Sequence, residues 1–431
     1  MPAMSHSNPC LWTQLPQSLR SPCDRYKHAC CSCHGNVYLL GGRESGSVGD
    51  FWKYNVVSDE WTELNCTSEA APEELEEHSM VAHEGFLYVF GGMLDSAYTK
   101  YRCALWVFDT AKQKWVHCQG KRSSPQRPSN RKGHSAVVIG PAMLVYGGFL
   151  DIKGPSQEFW CLDFDTTIWS LLSPADSISP GPRHSHSAVA YQDSMFLFGG
   201  LKGLLEQRDF WKWNSTSRTW TCLKTKSGPP RLMGHSAVVF RDSMLLFGGG
   251  ECQNFPKNGL WRYSFSTHSW IQVASLPGSN PPDKIHHCCT GLGPSYAPTS
   301  CCSSSEHEPR QENKKARPFM NKCFPAPLRL GSEGDIELKT FSPERKRLGS
   351  SEPDPGNRTG TGPQPRGSHL TFENRAFKKQ WSCTEEEEHL LDQEEDEDIR
   401  KHLPDTLLVL GGRPYSTSSP ISIWQMTLTD P

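Results

Sequence analysis

Residues 234–250 read GHSAVVFRDSMLLFGGG: an apolar run, a polar break, a second apolar run and three glycines. Nearly the same line stands at 133–148 as GHSAVVIGPAMLVYGG and at 185–200 as SHSAVAYQDSMFLFGG. A fixed period changes the meaning of every other feature of a chain, so the repeat is measured first. Glycine pairs fall at Gly41/Gly42, Gly91/Gly92, Gly147/Gly148, Gly199/Gly200, Gly248/Gly249 and Gly411/Gly412, in steps of 50, 56, 52, 49 and then 163 residues. Thirteen residues ahead of each of the first five pairs stands a histidine: His28, His78, His134, His186 and His235. An aromatic strand follows each pair (Trp52/Tyr54, Trp106/Phe108, Trp160/Leu162, Trp211/Trp213, Trp261/Tyr263, Trp424/Met426), and after the first five comes a second tryptophan, Trp61, Trp115, Trp169, Trp220 and Trp270.

Each unit reads as four short strands, in the fifth copy HSAVVF, MLLFGG, LWRYSF and SWIQV, separated by turn-forming Asp, Asn, Ser, Gly and Pro. With its histidine, glycine pair and two tryptophans, the unit resembles the kelch repeat, whose period is about 50 residues. The resemblance covers 11–289 and 403–430. It implies an all-β, six-bladed β-propeller, because a four-stranded sheet of this kind cannot bury both faces alone and stacks radially on its neighbours. The unbroken apolar second strand is expected to be buried on both sides. The glycine pair serves backbone geometry at a crowded exit from that strand, so FGG carries no phosphate-binding implication.

The sixth copy reaches its third strand, ISIWQMTL, at the C-terminus and has no fourth. LWTQL, around Trp12, matches EWTEL and TWTCL, so the N-terminus is expected to supply the outer strand of the last blade and close the ring. Its first strand is expected at KIHHCC, with His287, and its second at TLLVLGG. Between them, 290–402 reads as an insertion of Ser, Pro, Gly, Glu and Lys with few aliphatics. Such composition buries too little apolar surface to offset ordering entropy, so the expectation is disorder with a short helix near Glu385 to Asp398.

A net charge of −2 over 431 residues gives no strong global field, which argues against nucleic acid as a partner. The N-terminal MPAMSHSNPCLW has no apolar h-region and no stretch approaches a membrane span. An odd count of 17 cysteines suits a reducing compartment, in which a sequon at Asn357 would be silent. The expected location is cytoplasmic, with the nucleus as alternative on the basic clusters SPERKR and ENKKARP, and the expected state is a monomer.

Cys30, Cys31 and Cys33, with Cys288 and Cys289 on the matching strand, invite a thiolate metal site, but strand alternation sends Cys30 and Cys31 to opposite faces. They read as small side chains of tight strands. The repeated histidines read as fixtures tying neighbouring blades, and the fourth-strand tryptophans as packing residues. Some kelch-type propellers are enzymes, such as galactose oxidase with copper on Tyr and His. No such compact ligand set is visible here, only the scattered Glu44, Asp50, Asp151, Glu158 and Glu251. No enzymatic activity and no cofactor are expected.

What the resemblance implies instead is binding of a protein or peptide. The first expectation is an interaction scaffold; the alternative is a substrate-recognition subunit of a cullin-RING ubiquitin ligase, for which the roughly ten residues ahead of Trp12 leave no room for a BTB or F-box module. The loops joining second to third strands and each fourth strand to the next blade emerge on one face. That face should carry Arg25, Arg131, Arg183 and Arg231, three or four residues before a repeat histidine, and Arg43, Lys100, Arg102, Lys202, Arg208 and Arg413 after the glycine pairs. Of these, Arg25, Arg43, Arg131, Arg183, Arg208, Arg231 and Arg413 form the expected site. Arginines around a funnel mouth can pair bidentately with a carboxylate or acidic peptide, whereas Asp24, Asp50, Asp151, Glu206, Asp209 and Asp283 dilute the field and arginines there can equally brace the loops.

Overall fold

A computed structural model of the chain describes residues 9–18, 20–94, 104–117, 126–173, 178–296 and 403–427. Six antiparallel sheets of four strands stand around one axis. Blade I comprises Ala29–Cys33, Asn36–Leu40, Phe51–Asn55 and Glu60–Leu64, and blade II Ser79–His83, Phe86–Phe90, Leu105–Asp109 and Lys114–Val116. Blade III is built from Ser135–Ile139, Ala142–Tyr146, Phe159–Asp163 and Ile168–Leu171; blade IV from Ser187–Tyr191, Ser194–Phe198, Phe210–Asn214 and Thr219–Cys222. Ser236–Phe240, Ser243–Phe247, Leu260–Ser264 and Ser269–Val273 make blade V.

Blade VI takes three strands from the C-terminal part, Cys288–Leu292, Thr406–Leu410 and Ile423–Thr427, and its outer strand, Leu11–Leu15, from the N-terminus. The closing strand pairs antiparallel in full register, Leu11 opposite Thr427, Trp12 opposite Met426 and Leu15 opposite Ile423. Trp12 is buried and packs 5.1 Å from Phe247 of blade V. In this it repeats the outer-strand tryptophans of blades III, IV and V, where Trp169 meets Phe90 at 5.1 Å, Trp220 meets Tyr146 at 5.2 Å and Trp270 meets Phe198 at 5.6 Å. Trp61 is the exception: half-buried, it donates its indole N–H to Gln17 Oε1 at 2.8 Å, just beyond the closing strand.

The second strands are buried throughout in blades I, IV, V and VI, the pattern expected of a strand covered on both faces. In blades I and II the turn leading into them, His34–Gly35 and Glu84–Gly85, has positive φ at both residues, the primed hairpin whose twist matches its strands. In blade VI this same connection carries the insertion. The first strand there runs on to Leu292, and a 3-10 turn at Pro294–Tyr296 follows. Ser295 donates its N–H to Asp405 Oδ1 at 2.9 Å, and Tyr296 packs at a tilt with its ring centre 4.9 Å from that of Phe240. Residues 290–296 thus belong to the propeller, not to the insertion as expected from composition. A polar Thr–Gly pair hides a strand that Cys288, Cys289 and Leu292 complete. The rest of the insertion, 297–402, including the expected helix at Glu385 to Asp398, lies outside the described residues.

Candidate partner-binding face

Ahead of each first strand the chain takes one repeated conformation. The residues directly before the six histidines, Lys27, Glu77, Gly133, Ser185, Gly234 and His286, all have φ between 54° and 64°. Four of them are not glycine, so left-handed backbone is imposed here by something stronger than residue preference. That something is a closed circle of backbone hydrogen bonds. Glu77 N–H donates to Lys27 O at 2.9 Å, Gly133 to Glu77 at 2.8 Å, Ser185 to Gly133 at 2.7 Å, Gly234 to Ser185 at 2.9 Å, His286 to Gly234 at 2.8 Å, and Lys27 to His286 at 2.9 Å. One bond per blade boundary, six in all, returns the chain of donors to its start.

Behind this circle the six histidines stand wedged between neighbouring blades. His235 Cβ sits against Gly249 of its own blade and its Cε1 against Gly199 of the blade before, at distances where any added Cβ would collide or crowd, 2.7 and 3.1 Å. His28, His78, His134, His186 and His287 repeat the placement. Where hydrogen bonds form they cross the boundary: His134 Nε2 lies 2.8 Å from Ser79 Oγ, His186 Nε2 2.9 Å from Ser135 Oγ, and His235 Nε2 3.1 Å from Phe198 O. Burial pushes His78, His134 and His287 down to about 3 and His235 to about 4, so these four are neutral at physiological pH. With the axial residues, the histidines line a pocket of about 120 Å³.

Three residues before each histidine lies the position expected to carry arginines to the mouth. Arg25, Arg131 and Arg183 do stand there, but turned inward with guanidinium groups out of solvent. Each reaches the first glycine of its own blade's pair and a carboxylate beyond it. Arg183 donates to Gly199 O at 2.9 Å and holds both oxygens of Asp209 at 2.8 Å. Arg131 donates to Gly147 O at 3.1 Å and Glu158 Oε2 at 2.6 Å; Arg25 donates to Gly41 O at 3.2 Å and Asp50 Oδ2 at 2.8 Å. The same carboxylates accept the indole N–H of the third-strand tryptophans, Trp211 at 2.7 Å, Trp160 at 2.9 Å and Trp52 at 2.6 Å. These three arginines are braces, and the expectation that they face a partner is corrected: each guanidinium is out of solvent and already paired with a carboxylate, so it has nothing left to offer.

Arg231 belongs to a different register. The brace position of blade V is Leu232, buried, while Arg231 one residue earlier is exposed. In blade VI the position is Lys284, which donates to Gly412 O at 3.2 Å, Pro414 O at 2.8 Å and Ser422 Oγ at 3.3 Å.

The residues that do face the mouth form a short charged chain. Glu76 accepts from Arg43 Nη1 at 3.2 Å and Lys132 Nζ at 3.1 Å, while Lys27 Nζ pairs with Glu77 at 2.6 Å. Burial alone would raise both glutamates; Lys27 above all, with Lys132 and Arg43 at Glu76, holds them below the usual range. Arg413 lies with its guanidinium carbon 5.3 Å over the Tyr26 ring, and Tyr415 packs against that ring at 5.2 Å. Arg413 pairs with no carboxylate among the described residues. Arg208 is exposed, as is Lys202; Lys100 and Arg102 fall outside the described residues. Sequence reasoning missed Tyr26, Glu76, Lys132 and Lys284. Their signal was position relative to the histidine, not residue type.

The cysteines divide as alternation predicts. Cys30 packs with Val37 and Leu39, Cys31 with the core that holds Tyr38 and Leu40, and Cys289 against Phe247 and Val409. Cys288 donates its thiol to His28 O at 2.9 Å. Among the described residues no three of His, Cys, Asp or Glu are grouped to hold a metal ion, and no helix is long and apolar enough to cross a membrane.

The fold and its faces define a repeat propeller of the kind that presents loops to a partner, and the comparisons place it more closely. The KLHDC2/KLHL20/DRC7 Kelch-repeats domain matches residues 4–200 and 104–296, so the chain belongs to that family. Kelch domain-containing protein 3 of Homo sapiens is 30% identical over 239 residues, 51% of this chain and 61% of that protein. Kelch domain-containing protein 10 of Xenopus laevis is 28% identical over 199 residues, 44% of this chain and 47% of that protein. A similar stretch, 30% identical over 203 residues, occupies 7% of Multiple epidermal growth factor-like domains protein 8 of Mus musculus. The chain thus spans about 61% or less of the length of these curated relatives.

Proposed function

We propose that this propeller is a non-enzymatic scaffold that binds a protein or peptide through its loop face, and that Arg413 with Arg43 contacts a carboxylate-bearing part of the partner. The observation that carries the reading is Arg413, aligned over Tyr26 at the mouth and without a carboxylate partner among the described residues. A guanidinium held by an aromatic face keeps its fork of donors directed outward and loses little freedom on binding. Arg208 and Arg231 extend the same sign of charge along the rim. Buried Glu76 tempers Arg43 and Lys132, so an incoming carboxylate competes with it and sets a threshold against weak anions. We place the protein in the cytoplasm, which imaging of the tagged full chain checks.

The test is proximity labelling and pull-down with the full chain, with Arg43→Ala/Arg413→Ala, and with 297–402 replaced by a short Gly/Ser turn. Partners should be lost from the arginine variant while circular dichroism is unchanged. Partners retained by the arginine variant but lost on replacement of 297–402 would assign binding to that segment instead. Probing the same eluates for a cullin adaptor separates a free-standing scaffold from a ligase subunit.

A further inference from the structure

The six blades share one backbone plan, but the loops between their second and third strands do not share one chemistry. In blades III and IV these loops rise as paired ribbons, Phe149–Leu150 against Gly154–Pro155 and Leu201–Lys202 against Leu205–Glu206. In blade V the loop is pinned by bridges from Gly250 to Pro256 and from Lys257 to Lys284. At the tips stand Ile152, Leu204, Phe255 and Leu205, exposed by 95%, 93%, 67% and 63%. The equivalent loops of blades I and VI, 43–49 and 413–421, are built of Arg, Glu, Ser, Gly, Pro, Tyr and Thr with only Val48 and the buried Ile421 among aliphatics.

Backbone pairing beneath these tips matters, because it holds large apolar side chains in water on a defined frame. Solitary exposed hydrophobes need no explanation, but four at the loop tips of three consecutive blades, all on one face, recur where the loops of blades I and VI carry none. The tips are flanked by charge of one predominant sign: Lys202, Arg208 and Arg231 are exposed and make no ion pair among the described residues, and Lys153 follows Ile152. Glu251 is offset by Lys257 Nζ at 3.6 Å, and Asp151, Glu206 and the exposed Asp283 reduce the excess of positive charge.

We infer that the tips of blades III to V form a docking crescent for an amphipathic helix of a partner protein, its apolar stripe on Ile152, Leu204, Leu205 and Phe255 and its carboxylates toward Lys202, Arg208 and Arg231. A helix is the segment that offers a continuous apolar stripe and two charged margins at once, read at i, i+3, i+4 and i+7. The inference rests on the loop face being the binding face, but it uses residues separate from Arg43 and Arg413. The two surfaces together would grip a partner at the mouth and along one side of the rim.

The probe is a fluorescein-labelled peptide of about 18 residues, five turns of helix, with leucines on one face and glutamates on the other, titrated into the full chain by fluorescence anisotropy. A lysine-for-glutamate counterpart is the charge control. The expected result is saturable binding of the Leu/Glu peptide, at least about tenfold weaker for the lysine peptide and for Ile152→Ser/Leu204→Ser/Leu205→Ser/Phe255→Ser, a factor equal to about 1.4 kcal/mol. Arg43→Ala/Arg413→Ala should bind it within about twofold of the unchanged chain, a difference under about 0.5 kcal/mol. Equal binding by the tip variant or by the lysine peptide, or no binding by the unchanged chain, overturns the crescent. So does a concentration-dependent dimer that the tip variant abolishes, since the occupant would then be a second copy. Loss of cellular partners on Arg43→Ala/Arg413→Ala with no effect of the tip variant here would leave the mouth reading standing and this one fallen.

Discussion

His235 and Leu232 lie three positions apart in blade V, and around the ring the two positions follow opposite rules. Every blade has a histidine at the first, namely His28, His78, His134, His186, His235 and His287. At the second stand Arg25, Leu75, Arg131, Arg183, Leu232 and Lys284. The difference lies in what each side chain touches. The histidine fills a slot whose two walls come from different blades, so its shape must suit both neighbours at once. The charged brace side chains are answered by groups of their own blade and of the loop leading into it, while the link to the blade before is made by the carbonyl, as in Gly148 N–H to Arg183 O at 2.9 Å and Gly200 N–H to Leu232 O at 2.9 Å. A backbone bond is indifferent to the residue that makes it, which frees the side chain to vary.

It varies in company. Where the brace is Arg25, Arg131 or Arg183, two residues before the third-strand tryptophan stands Asp50, Glu158 or Asp209; where it is Lys284, Ser422; where it is Leu75 or Leu232, Ala104 or Gly259. Three chemistries thus satisfy one site: a buried guanidinium paired with a carboxylate, an ammonium held by carbonyls and a hydroxyl, and an apolar filling. A charge there is kept only with its partner, because an unpaired buried charge costs more than the pair contributes.

The sharpest way to break the contrast between shared and private contacts is at the closing strand, where the shared kind is concentrated. Trp12→Ala should lower unfolding free energy by about 4 kcal/mol in urea, as expected for a buried tryptophan. Trp61→Ala, at the half-exposed counterpart, should cost less than half as much. Equal losses would mean that the N-terminal strand is not what closes the ring.

Next in size is the brace itself. Arg183→Leu should cost about 3 kcal/mol, since Asp209 is left without its guanidinium. Arg183→Leu/Asp209→Gly, which writes the blade V solution into blade IV, should return to within about 1 kcal/mol of the parent. If the double variant is no better than the single one, the three solutions are not interchangeable and the private character of the site is wrong.

A smaller but cumulative effect distinguishes the two positions by pH. In the unfolded chain the ring imidazoles titrate near 6.5, whereas in the fold His78, His134 and His287 are held at about 3 and His235 at about 4 by burial. The unfolded state therefore binds more protons between these values. Stability is complete above about pH 6.5 and falls as pH drops through the window, by up to about 1.4 kcal/mol per unit for each imidazole. Asp209 and Glu158, depressed in the fold, add to the loss only in the carboxylate range below. Urea midpoints measured from pH 7.5 to 5 should show the slope; a flat profile over that interval would show that these four imidazoles are not kept neutral. Smallest of all, Arg231→Ala should change stability by less than about 0.5 kcal/mol, because the brace of its blade is Leu232.

The sequence by itself determined the blade count, the four-strand unit, the closure through Trp12 and the inter-blade role of the histidines, because a contact that must recur at every boundary writes the same residue at the same offset each time. It also contained, unread, the pairing of Arg183 with Asp209 and of Leu232 with Gly259, visible once the copies are aligned on their histidines. Only the tertiary structure decided which way a side chain turns. Arg183 and Arg208 are equally arginine and equally close to a loop; one is enclosed by Gly199 O and Asp209, the other stands in water. Likewise Thr290 and Gly291 read as loop, yet they complete a strand once Leu407 and Leu408 lie opposite. Composition records what a residue can do, whereas burial and partner are properties of the space around it, set by chain segments far away in sequence.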